Sequence, residues 1–309
     1  MTRSFFLAAV GAVLALLLAA GCASERPIIE VREEARDFEG MGLASYRQGE
    51  FDQAITSFER ALEQNQRVGN FEGIASNLLN IARCYLHYGL YDNAERLADE
   101  AVEIYREAGG PGGMADGYAL LATIRTRGNR YDQAMELLER SLELYDRAGD
   151  RSGRASALNS MGSIHLKRGE YEQAADLIDR AIGLYKKEKN HGGLAGACNN
   201  KGYLLQLQGD REAMEWYLLA LEEDRYIENS LGISSDLHNI AGLHKETGDY
   251  DRALFYYKRA LEVNRQLELV QRIESDLQNV IDMLRVLGRD EEARTYLQAL
   301  EELQAPSSY

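Results

Sequence analysis

The residues of this chain that could do chemistry are few: five histidines, three cysteines, and asparagines and serines set at helical intervals. His87, His165, His191, His238 and His244 form no His-Glu-x-x-His pair, and no paired acidic ligands share a face with them, so nothing points to a metal or a cofactor. His165 and His244 fall at apolar helical positions, where a hydrogen-bonded core histidine is expected. Ser163 and His165 are close in sequence but share no triad geometry. The cluster from Gly109 to Gly113 lacks the Gly-Lys-Ser/Thr ending of a phosphate loop and reads as a turn. Cys84 and Cys198 lie in apolar stretches far apart, which predicts two buried thiols and no bridge. No catalytic residues emerge, and the expectation is a chain that is not an enzyme.

Another set of polar residues is spaced for binding. Asn80, Asn200, Asn239 and Asn279 each stand nine residues before a glycine (Gly89, Gly209, Gly248 and Gly288), and Arg83 and Tyr203 stand six before theirs. Positions 13, 9, 6 and 2 before each glycine share one helical direction, opposite the apolar stripe. They read Ser76, Asn80, Arg83, His87; Ser156, Ser160, Ser163, Lys167; Gly196, Asn200, Tyr203, Leu207; Ser235, Asn239, Gly242, Glu246; and Ser275, Asn279, Asp282, Val286. An asparagine amide can pair with the main chain of an extended peptide whatever that peptide's side chains, and small neighbours leave room for it. The same small residues could serve close helix packing instead. Asn159, Asn199 and His238, ten before their glycines, point a quarter-turn away and are expected to bridge neighbouring helices.

Such a strip needs a repeating scaffold, and the chain has one. Ala54, Ala94, Ala134, Ala174, Ala213, Ala253 and Ala293 stand 40, 40, 40, 39, 40 and 40 residues apart. Each follows a turn, as in Gly49-Glu50-Phe51-Asp52-Gln53-Ala54, with looser copies at Gly128, Gly209 and Gly288. Before the turn, Leu78, Ile81, Ala82 and Tyr85 mark the apolar stripe of a first helix, A; after it, Ala54, Ser57, Phe58 and Ala61 mark a second, B. The third copy reads as carrying an extra residue in Gly128-Asn129-Arg130-Tyr131, and the fifth as lacking one before Ala213. Trp216 reads as filler for the turn aromatic that the fifth copy lacks. Gly69, Gly109 and Gly149 are C-caps of helix B; the junctions near Asn229 and Leu269 lack that glycine.

The small, glycine, aromatic, alanine and alanine positions, seen in Gly162, Gly169, Tyr171, Ala174 and Ala181, resemble the tetratricopeptide repeat. The resemblance implies an all-α superhelix, a solenoid of about seven helix hairpins over residues 37–303, with A helices lining the concave face. The unit is longer than the usual repeat and looks like those of peptide-holding adaptors. The resemblance thus makes Asn80, Arg83, Asn200, Tyr203, Asn239 and Asn279 the candidate contacts of a peptide groove.

The first 22 residues carry an address. Arg3 precedes an uncharged apolar run from Phe5 to Ala20, and Leu18-Ala19-Ala20-Gly21-Cys22 resembles the bacterial lipobox, with Ala19 where leucine is commoner. It implies a signal peptide over 1–21, lipidation of Cys22, a tether over 22–36 and, with no aspartate at Ala23, the periplasmic face of the outer membrane, or the cell membrane in a Gram-positive organism. Residues 304–309 read as a tail.

A net charge of −15 opposes nucleic acid as a partner. The expected function is a lipid-anchored scaffold holding a peptide or protein segment, with no small-molecule substrate. The alternatives are an envelope-assembly subunit docking through its convex face and a peptidoglycan binder using Tyr118, Tyr203 and the groove amides.

Overall fold

A computed structural model describes residues 27–305, and 14 helices account for nearly all of them. They pair into seven hairpins: α1 (Ile28–Arg47) with α2 (Phe51–Arg67), α3 (Phe71–His87) with α4 (Tyr91–Ala108), α5 (Pro111–Arg127) with α6 (Tyr131–Ala148), and α7 (Arg151–Arg168) with α8 (Tyr171–Glu188). Then come α9 (His191–Leu207) with α10 (Ala213–Tyr226), α11 (Ser230–Glu246) with α12 (Tyr250–Gln266), and α13 (Val270–Val286) with α14 (Asp290–Gln304). The leader, Cys22 and nearly all of the tail lie outside the described residues. Residues 28–36, expected as a short tether or an irregular first helix, are the first turns of α1, where Val31 and Ala35 are buried. No described helix is long and apolar enough to cross a membrane.

Within each hairpin the spacing of small residues sets how closely the helices approach. A Cβ on Gly42 would stand 2.5 Å from the Phe58 ring, and one on Gly162 would stand 2.8 Å from Ile178. All seven repeat alanines are buried at 4% exposure or less. Overpacking such a contact by even a few methylenes costs about 1–3 kcal/mol.

The turns correct one part of the sequence reading. Asn129, not Gly128, takes the left-handed conformation (φ 56°), standing where Gly89 and Gly169 stand in their hairpins. The third copy therefore has no extra residue. In the fifth hairpin the repeat alanine does come one residue early after the turn at Gly209, and helix B starts only there, at Ala213, which makes it the shortest described helix at 14 residues. Trp216 is half-buried between that hairpin and its predecessor. The junctions without glycine keep the same geometry, since Lys189, Glu228 and Glu268 adopt φ of 54°, 54° and 53°.

Each helix B packs on the A helix of the next hairpin, and in the middle of the array successive A helices (α3, α5, α7, α9, α11) also touch one another. The A helices therefore line the inner, shorter circumference, as the resemblance implied. Two kinds of side chain fill the junctions. Tyr105, Tyr145 and Tyr185 lie over Gly113, Gly153 and Gly193, where a Cβ would come within 2.2 Å of each ring. At the equivalent place Asn65, Asp224 and Asn264 are buried and hydrogen-bonded, to Asn70, Asn229 and Asp276 respectively.

The coil is tight enough to meet itself. At the first turn, Gln48 Nε2 donates to the carbonyl of Glu228 at 3.1 Å, and Ser230 Oγ donates to Gln48 Oε1 at 2.7 Å. Gly49 rests against Leu231 and Leu267, and Leu231 is buried in the apolar cluster of the first hairpins with Phe51 and Phe58. The concave face is thus the wall of a channel closed into a ring.

Candidate binding groove

The asparagines of the strip form a ladder between A helices. Asn200 Nδ2 donates to Asn159 Oδ1 at 2.9 Å, and Asn239 Nδ2 donates to Asn199 Oδ1 at 3.0 Å. Position −10 of one hairpin accepts from position −9 of the next, so Asn159 and Asn199 do bridge repeats. His238 bridges as well, with Nδ1 3.0 Å from Asp276 Oδ1. The ladder uses one amide N–H each of the half-exposed Asn200 and Asn239 and leaves their side-chain carbonyl oxygens without a protein partner. Held this way, they can accept from the N–H groups of an extended chain.

The remaining expected contacts divide. Tyr203 is 46% exposed. Asn80 is buried and accepts from Arg83 Nη1 at 2.6 Å, so it orients Arg83 more than it faces a ligand. Asn279 turns its amide back onto the carbonyl of Ser275 at 2.9 Å. Tyr118 packs at the interface of the second and third hairpins and accepts a hydrogen bond from Arg106 at 3.3 Å. His165 and His244 are half-buried at the edge of the core, His165 hydrogen-bonded to the turn carboxylate of Glu170 and His244 3.8 Å from that of Asp249. Cys84 and Cys198 are free and buried, and burial pushes both thiols up to about 12.

Two cavities open on the ladder. One of about 510 Å³ is lined by Thr123, Thr126, Arg127, Asn129, Asn159, Ser160, Ser163, Lys167 and Asn200 with Ala122 and Leu138. Another of about 260 Å³ is lined by Ser234, Ser235, His238, Asn239, Asn264, Arg272, Ser275 and Asp276. Arg272 holds the carbonyl of Leu231 at 3.3 Å and Ser235 Oγ at 3.2 Å. Among the described residues no group of histidine, cysteine and carboxylate side chains is placed to hold a metal.

Ring closure brings the first hairpin's aromatics against these cations. Tyr46 Oη is 2.8 Å from His87 Nε2, and the His87 ring stacks on Phe51 with centroids 4.5 Å apart. Burial, then the charges of Arg272 and Arg127, holds the His87 imidazole down at about 4, so it is neutral at physiological pH. Burial is also the main cause that lowers Arg272, reinforced by Arg127 across the channel and opposed by Asp276. Sequence reasoning missed Arg127 and Arg272. Arg127 stands two residues before the true turn at Asn129, in register with His87 and Lys167; the five-residue step from Asn129 to Ala134, shared by the regular copies, was the available signal.

Tetratricopeptide-repeat family models match residues 38–107 and 113–187 and, by a second model, 237–267, together more than half of the chain. No curated protein matches it in sequence. Among solved structures, it is similar to a Rap protein complexed with Competence and Sporulation Factor, with a TM-score of 0.66 and 19% identity over 88% of this chain and 75% of that one. Aspartyl phosphate phosphatase F from Bacillus subtilis gives a TM-score of 0.61 at 15% identity, over 96% of this chain and 76% of the other. BtubC from P. vanneervenii gives 0.53 at 21% identity, over 71% and 92%. At these identities the likeness is one of fold.

Proposed function

We propose that this chain, which belongs to the tetratricopeptide-repeat proteins, is a non-catalytic scaffold that holds a segment of another protein in the channel lined by its A helices. The observation that carries this reading is the amide ladder: Asn200 and Asn239 are fixed by Asn159 and Asn199 and keep a carbonyl oxygen apiece for a ligand main chain. A preorganised wall lowers the ordering cost of binding, since the segment alone must be immobilised. The Rap structure, solved with Competence and Sporulation Factor bound, supports the idea that a solenoid of this shape can hold a partner. With Cys22 lipidated, the scaffold would sit on the outer membrane facing the periplasm; at about 0.8 kcal/mol per buried methylene, two or three acyl chains make such an anchor effectively permanent.

Partner capture from solubilised membranes tests the groove. Asn200→Ala with Asn239→Ala is expected to lose the partner while charge reversals on the outer B helices leave it bound. The opposite pattern would transfer the function to the convex face, and retention on purified sacculi free of protein would favour a glycan ligand. Replacing Cys22 by serine is expected to move the protein from the membrane to the soluble fraction, and a variant that stayed membrane-bound would end the lipoprotein reading.

A further inference from the structure

We propose that closure of the ring is gated by a proton: the seam at Glu228, Ser230 and Leu231 is held shut by one proton shared between the buried carboxyls of Asp224 and Asp236, and it opens when that proton leaves. The inference is independent of the groove reading, since it concerns how the channel is closed and not what it holds.

Asp224 lies on α10 and faces Asp236 on α11. The same two positions are filled at two other junctions by Asn65 with Asn77 and by Asn264 with Asp276, while opposite Tyr105, Tyr145 and Tyr185 stand the small residues Gly117, Ala157 and Ala197. At the junction of the sixth and seventh hairpins Asn264 Nδ2 donates to Asp276 Oδ2 at 2.6 Å, a contact complete without a shared proton. Only between the fifth and sixth hairpins do two acids meet. Both are buried, and Asp236 Oδ2 has no other donor, so one of the two must supply the hydrogen. Burial is the main cause that raises both acids, and Asp236 is pushed up to about 8.

The pair stands directly behind the seam. Asp224 Oδ1 accepts from Asn229 Nδ2 at 2.8 Å, and a Cβ on Gly232 would stand 1.8 Å from Asp224 Oδ2, so this carboxyl rests on the first turn of α11. Asn70, Asp150 and Asn190 cap their own A helices by accepting from a backbone N–H; Asn229 makes no such bond, and the start of α11 is tied to α10 through Asp224 instead. The neighbours of Asn229 are the residues that close the ring, Glu228 and Ser230 on Gln48 and Leu231 against the first hairpins. Two negative charges at this spot push α10 and the first turn of α11 apart, and the seam contacts move with them. The other titratable or charged groups around the pair are Cys198 on α9 and Glu223 and Arg225 on α10; Lys186 of α8 faces Cys198, and His191 Nδ1 of α9 lies 2.5 Å from Glu223. From α12 comes the neutral Asn264, and His238 of α11 is turned to Asp276.

Spin labels on Gln53→Cys and Gln266→Cys, which line one cavity across the seam, read the closure by pulsed electron spin resonance in the full chain carrying Cys22→Ser, whose other two thiols are buried. In mildly acidic buffer a single short distance is expected. As the pH rises through about 8, most of that population should give way to a longer distance while circular dichroism shows the helix content unchanged. Asp224→Asn, which recreates the Asn264–Asp276 arrangement, should keep the short distance across the range, and Asp236→Asn serves the same purpose if that variant fails to fold. Leu231→Asp supplies the reference for an open seam. A parent distance that stays short in alkaline buffer overturns the gate. Lengthening that persists in both asparagine variants assigns the opening to another group, such as His191 with Glu223, and overturns it equally.

Discussion

Asp236 is wholly buried at the fifth junction, with Asp224 beside it at 3% exposure. One oxygen of Asp236 accepts from Asn199, while the other has no partner unless a proton sits between the two carboxyls. Burial is the largest cause that raises both acids; the hydrogen bond from Asn199 opposes it at Asp236, but the charge of Asp224 lifts that acid further, to about 8, against a smaller pull from Arg225. In the unfolded chain an aspartate titrates near ~4. From there to about 8 the folded state holds a proton that the unfolded state has released, so stability falls as pH rises through that window. Asp236→Asn supplies the hydrogen permanently. Thermal unfolding of that variant is expected to be less dependent on pH between mildly acidic and mildly alkaline buffers, with the gain over wild type largest at the alkaline end. An unchanged pH slope would mean the pair is not the titrating group. The pair was hidden from sequence reasoning because the repeat register alone does not reveal that the position filled by tyrosine in three junctions carries an acid here, opposite a second acid one helix away. The amide strip was legible, since its spacing follows the turns; Arg127 was not, because counting from Gly128 shifts that helix by one residue and turns the cation out of the channel.

At the level of the helix hairpin, the left-handed turns carry the forty-residue period, and the chain places them more consistently than it places glycine. Gly69, Gly109 and Gly149 close their B helices without steric cost, whereas Lys189, Glu228 and Glu268 adopt the same conformation with a Cβ in place. A left-handed residue other than glycine costs about 1–2 kcal/mol, offset in part by the greater chain entropy that glycine loses on folding. Lys189→Gly is therefore expected to stabilise the fold by about 0.5–1 kcal/mol, and Gly149→Ala to destabilise it by about 1 kcal/mol, both read from urea midpoints at constant slope. A Lys189→Gly variant that lost stability, or a Gly149→Ala variant that lost none, would show that the junctions differ in geometry. These helices were readable because alanine and glycine at close-approach positions recur with the period. Their ends were less so: the expected tether at 28–36 folded into α1 because Val31 and Ala35 find a core, a consequence of contacts with the next helix that local composition does not record.

Closure of the ring belongs to the molecule and to no single repeat. Each hairpin adds a small rotation to the last, and the sum brings Gln48 against Glu228 and Ser230, residues about 180 positions away. No motif encodes that meeting, so sequence periodicity predicted a curved groove but not its closure into a channel. The contact is small and partly polar, so it is expected to open at lower cost than a hairpin does, which makes it the candidate lateral entrance of the channel. Leu231→Asp separates the two: Leu231 is the second residue of α11, where an acid is favoured by the helix dipole, yet it is buried against the first hairpins, where a charge is not. The variant is expected to keep its helix content by circular dichroism while its radius of gyration in solution scattering rises. A captured segment lying across both walls would draw the opened ring closed again, so its addition should return the variant's radius towards that of wild type. A radius unchanged by the substitution would show that the closure does not depend on Leu231, and the entrance would have to lie along the channel axis instead.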